Sequence, residues 1–149
     1  MSMKNNLKKI RYWAVLVAGF AGLVVSGLLY SPLLFGNAYM HLRGIDPRSM
    51  ANMKFPAWEM LGEFAHDFLI AFVVAYFVAA LGVRGWKGWM QLGLWLWFGF
   101  WAMVLMGSVI HEHMPLELYA IHATDGLIKI VVMAVILSVW RSQRKEVMQ

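Results

Sequence analysis

Two short runs set ionisable side chains inside otherwise apolar stretches, Glu63-x-x-His66-Asp67 and His122-x-x-Asp125-x-x-x-Lys129. At 100° per residue a helix would place His122, Asp125 and Lys129 within about 60° of arc, on one face, and Glu63, His66 and Asp67 within about 100°. A third group, His111-Glu112-His113-Met114, ends another apolar stretch. Imidazole with carboxylate suits zinc or iron, and imidazole with thioether suits copper, so His66, His111, His113 and His122 are candidate ligands for a transition metal. Glu63-x-x-His66 has the spacing found on di-iron helices, but such bundles carry the motif twice, and here the partner run offers His122-x-x-Asp125. One His on each of two helices would also permit bis-imidazole ligation of a haem by His66 and His122, although Asp67, Asp125 and Lys129 would crowd an apolar macrocycle. The third chemistry is protonic: acids, imidazoles and an amine in series make a proton or ion relay, or a sensor. Past Lys129, Gln91 is the only inner-half side chain of the third helix able to extend such a path, which favours a half-channel or sensor over a conduit.

Catalytic patterns are missing. There is no nucleophile elbow, no Gly-rich phosphate loop after a strand and no H-E-x-x-H, since in His111-Glu112-His113 the second His follows two positions after the first where that motif needs four. Cys is absent, which excludes thiol redox chemistry, disulfides and thiolate metal sites. No catalytic residue is therefore assigned, and whether the chain is an enzyme stays open, with these absences leaning against it.

The elements that must hold these groups are apolar stretches at residues 12–30, 64–83, 89–110 and 119–139. Each approaches the roughly 20 residues a helix needs to cross a hydrocarbon core of about 30 Å. With 61% hydrophobic and 14% charged residues and a mean hydropathy of +0.62, little polar surface remains for a soluble domain. The expected fold is all-α, an integral membrane four-helix up-down bundle forming a single transmembrane domain over residues 1–149. Small residues recur every four positions, Ala18, Gly22 and Ser26 on the first stretch and Ala71, Ala75 and Ala79 on the second, as helices need where their backbones approach closely in lipid. The loop at 36–62 is expected to carry short interfacial helices, one starting at Asp46-Pro47. Met50, Met53, Trp58 and Met60 should face lipid or protein there, and Pro56 could start the second helix early.

Lys and Arg set the orientation. Nine of the thirteen lie in the two tails and the short loop at Arg84–Lys87, whereas the loop holding His111 and His113 has none. By the positive-inside tendency both termini are cytoplasmic. The net charge of +5 then reads as attraction to an anionic lipid leaflet, with the bilayer and no nucleic acid as partner. Trp13, Trp86, Trp89 and Trp140 mark the expected inner boundary as an aromatic belt. All five His and seven of the eight acids fall on the outer side of that frame. If the fourth helix is centred at Lys129, Asp125 lies about 6 Å and His122 about 10 Å outward. Each unpaired Asp or Lys at mid-bilayer costs roughly 2.5–3.5 kcal/mol, so Lys129 needs an anionic partner, from Asp125 one turn away or Asp67 across the bundle.

The run Gly27-Leu28-Leu29-Tyr30-Ser31-Pro32-Leu33-Leu34-Phe35-Gly36, followed by Ala38-Tyr39-Met40, resembles the end of the first helix in domain-of-unknown-function family 1761, a group of small bacterial membrane proteins. Leu29 stands where that family usually carries Trp. The resemblance implies a four-helix inner-membrane protein of unestablished activity and supplies no catalytic residues. Residues 111–129 are expected to fall outside the likeness. The function expected from the residues is that of an accessory or interaction subunit, within a larger membrane complex or a homo-oligomer, with Glu63, His66, Asp67, His122, Asp125 and Lys129 as a polar cluster in the outer half of the bundle. Metal binding and a proton or ion relay are the alternatives, and the cofactor is open between a transition metal, a haem and none.

Overall fold

The computed structural model describes residues 6–46 and 56–146. Five helices follow in order: α1 (Tyr12–Leu29), a short α2 (Gly36–Leu42), α3 (Ala57–Leu81), α4 (Gly85–His111) and α5 (Leu116–Glu146). There is no strand among the described residues. Four of the helices, α1, α3, α4 and the Leu116–Trp140 part of α5, are long and apolar enough to cross a membrane, which makes this a multi-pass membrane protein.

Local chemistry sets the helix ends. Pro56, extended at φ −63° and ψ 142°, precedes the first turn of α3, where its missing N–H costs nothing. At the other end Gly82 takes a left-handed φ of 66° and the Val83 N–H donates to the Val78 carbonyl at 3.1 Å, closing α3 in a Schellman turn. The chain then reverses at once into α4. Ser31 ends α1, its hydroxyl donating to the Leu28 carbonyl at 2.7 Å just before Pro32.

Packing is uneven around the bundle. α1 lies between α3 and α5 and packs against both, while α4 packs on α5. α3 and α4, although joined by the tightest turn, touch little. The circuit is therefore α3, α1, α5, α4, with an open side between its two ends. Ala18, Gly22 and Ser26 on α1 and Ala71, Ala75 and Ala79 on α3 are all buried, so the small-residue stripes do face other helices. Val15, Val74, Val78, Met133 and Ala134 fill the core between them.

Several local expectations need correction. The loop expected at 36–62 is shorter than that: α3 begins at Ala57, the early start that Pro56 allowed, and Trp58 and Met60 sit exposed on its first turns. α2 occupies part of the expected loop, whereas the helix start at Pro47 and the positions of Met50 and Met53 lie outside the described residues. Trp13 and Trp86 are exposed, as a belt requires, but Trp89 is only 5% exposed and belongs to the core, because the first turns of α4 lie directly on α5. α4 is also not α-helical throughout: Trp97–Ala102 is wound as a π-helix, between the α-helical segments Gly85–Leu96 and Met103–His111.

Candidate functional site

Lys129 is the largest fully buried side chain of the molecule, 1% exposed. An ammonium there can persist only with anions at hand. Its Nζ donates to Asp67 Oδ1 at 2.9 Å and to Glu63 Oε1 at 3.0 Å, both on α3, and lies 3.5 Å from Asp125 Oδ2, one turn earlier on its own helix. Asp67 is completely buried, Asp125 nearly so, and Glu63 about half exposed. The group thus grades from a sealed interior to an accessible edge.

The first helix completes the site. Ser26 Oγ donates to Asp125 Oδ1 at 2.7 Å, so both oxygens of that carboxylate are engaged. Tyr30, in the residue after α1, pairs its hydroxyl with His122 Nδ1 at 2.6 Å and sets its ring edge-on to Tyr39 of α2. Gly22 makes room for the charges: a Cβ there would stand 2.9 Å from Asp67 Oδ2 and 2.5 Å from the Met133 methyl. That Asp67 Oδ2 is buried without a hydrogen-bond partner, an exposed flaw in an otherwise satisfied network.

Of the residues singled out from sequence, Glu63, Asp67, Asp125 and Lys129 meet directly. His66 joins at the edge, its Nδ1 3.4 Å from Asp67 Oδ1 and its ring 5.7 Å from that of Trp101. His122 is held by Tyr30 instead. The four-His metal set is not assembled: His111 ends α4 and His113 lies just past it, both exposed, and the group of potential ligands found among the described residues is Glu63, His66 and Asp67. His113 does have a left-handed φ of 56°, where the chain turns from α4 toward α5.

Over residues 13–138 the chain matches a family described as a protein of unknown function, DUF1761. The chain belongs to that family. No curated protein and no solved structure matches it. The range matched by this DUF1761 protein takes in residues 111–129, expected to fall outside, so its polar cluster lies within the family match.

The segment that carried the likeness has a physical role in the site. After Tyr30-Ser31-Pro32 the chain folds back so closely that a Cβ on Gly36 would collide with the carbonyls of Tyr30 and Ser31, and the Gly36 N–H donates to the Ser31 carbonyl at 2.9 Å. This compact turn seats α2 beside α5 and holds the Tyr30 hydroxyl at His122. Sequence reasoning missed Ser26 and Tyr30 as partners of the cluster. The only available signal was their helical phase, with Ser26 on the small-residue stripe and Tyr30 one turn beyond it.

Proposed function

We propose that this is a bacterial inner-membrane protein whose Lys129 cluster takes up and releases a proton, as a half-channel relay or sensor open to the outer face. One observation carries this reading: three carboxylates, Glu63, Asp67 and Asp125, surround a single ammonium. With every acid ionised the group would hold two negative charges in excess, at a depth where even one unpaired charge costs about 2.5–3.5 kcal/mol. A shared proton relieves that excess, and the unpartnered Asp67 Oδ2 is an atom able to carry it. The half-exposed Glu63 and His66 provide the way in. The concentration of Lys and Arg in the tails and the α3–α4 turn supports cytoplasmic termini, with this entrance outside.

Two other readings have less support. An accessory subunit that uses the cluster only to fix helix register leaves the surplus of acids over the single base without a role. A metal at Glu63, His66 and Asp67 would draw on two of the three carboxylates that neutralise the Lys129 ammonium. Infrared spectroscopy tests the proton directly. Purified protein in lipid should show the carbonyl stretch of a protonated carboxyl that responds to pH and disappears in Asp67→Asn or Asp125→Asn. No such band at any pH at which the protein stays folded would end the proposal. Proton flux into liposomes, compared with Lys129→Met, then separates a relay from a sensor.

A further inference from the structure

Beside the cluster, where α3 and α4 diverge, a cleft of about 720 Å³ opens along the flank of the bundle. Its size falls in the range of small-molecule sites, about 300–1,000 Å³. Val73 and Phe77 of α3, Phe100 and Val104 of α4 and Ile130 of α5 make apolar walls and floor. His66, His122 and Asp125 are its polar groups, and all lie toward one end. From His66 to Phe77 α3 advances about 16 Å, half the thickness of a hydrocarbon core. Val73, Phe100 and Val104 are 43%, 72% and 69% exposed, so at this depth the cleft opens to lipid and not to water.

The π-helical turn shapes its wall. Trp97 Nε1 donates to the Ala123 carbonyl at 2.9 Å, anchoring the turn to α5. Trp101 is laid against Gly126, where a Cβ would overlap the indole, and reaches the His66 ring. The wider turn thus brings one large aromatic inward and leaves Phe100 at the mouth, in keeping with the frequent appearance of π-bulges at functional sites.

We propose that the cleft binds a lipid-soluble molecule with a flat, uncharged, hydrogen-bonding ring and a long apolar tail, by chemical class an isoprenoid quinone or its quinol. The head would lie against the touching His66 and Trp101 rings, on their cleft side, and the tail would run along Val73 and Phe77 into the bilayer. Three features select that head. The excess of carboxylates next to His66 repels an anionic group, which disfavours fatty acids and acidic phospholipids. A cationic head finds no free carboxylate in the cleft lining, because both oxygens of Asp125 are taken by Ser26 and Lys129. A ring that exchanges hydrogen bonds with an imidazole and stacks on an indole satisfies what remains. This inference stands on the cleft and holds whether or not the cluster exchanges a proton.

The test uses the full chain in phosphatidylcholine nanodiscs, titrated with tritium-labelled decylubiquinone. Binding should saturate at one molecule per chain. His66→Ala should weaken it about tenfold, equivalent to about 1.4 kcal/mol, and His66→Gln should restore part of the loss. Val73→Trp and, from the opposite wall, Val104→Trp fill the cleft from exposed positions that folding does not need, and each should abolish the saturable component. The proposal is overturned if no saturable component appears, or if it survives both cleft-filling variants. It is equally overturned if oleate or a long-chain amine displaces the label as well as unlabelled quinone does.

Discussion

Replacing Lys129 with Met removes the cation while keeping a side chain of similar length, and leaves Asp67 and Asp125 facing each other without it. Removing one partner of a buried ion pair costs about 3–5 kcal/mol, because the other charge stays behind unpaired. Asp67 and Lys129 are 0% and 1% exposed, so this range applies to them without discount for water. Glu63 is 46% exposed and adds little, as exposed pairs contribute only about 0–1 kcal/mol. The expected loss is therefore about 3–5 kcal/mol, carried mainly by the two aspartates. Unfolding in mixed micelles by added dodecyl sulfate, followed by circular dichroism, measures it. The loss should shrink at low pH, where protons replace the missing cation on the carboxylates. The double variant Lys129→Met/Asp67→Asn should recover part of it, with a coupling of about 1–3 kcal/mol. Should Lys129→Met unfold like the parent, or the two substitutions simply add, the reasoning from a buried, carboxylate-held ammonium fails.

Ser26→Ala should cost about 1–3 kcal/mol in the same assay, since it takes a hydrogen bond from a buried carboxylate, and Tyr30→Phe about 1 kcal/mol through His122. Gly22→Val drives a side chain into Asp67 and Met133 and should lose about 1–3 kcal/mol by overpacking, whereas Gly27→Ala, with open space around it, should be neutral. Because the chain has no native Cys, orientation can be read from single substitutions: His113→Cys should react with an impermeant maleimide added to intact cells, and Lys87→Cys only after permeabilisation. Elemental analysis of purified protein should find no stoichiometric transition metal; one that is present and lost in His66→Ala would show that the ammonium does not hold the site against a metal.

The spans were legible because their signal is length and hydropathy, and lipid enforces both. The shared face of Asp125 and Lys129 was legible for a related reason: four residues is one turn, and a charge at mid-bilayer must find a partner. What periodicity cannot give is which faces of different helices meet. Ser26 therefore looked like one more small residue, although its hydroxyl holds Asp125, and Trp89 looked like a boundary marker, although α5 covers it. The start of α3 was legible at Pro56 and not in the apolar run, because Glu59 and Glu63 lower the apolarity of its first turns without much lowering their helix-forming tendency. The π-helical turn left no trace in the pattern of residues. It depends on contacts made after folding, between Trp101 and Gly126 and between Trp97 and Ala123.

The placement of the ammonium on α5 and of two of its counter-ions on α3 has a consequence for biogenesis. Synthesis runs from the amino terminus, so Glu63 and Asp67 leave the ribosome more than sixty residues ahead of Lys129. Until the last span is delivered, the nascent protein carries acids in its second span with nothing to balance them. A product halted before residue 129 would keep that defect permanently, which makes it a ready substrate for membrane proteases that survey unassembled helices.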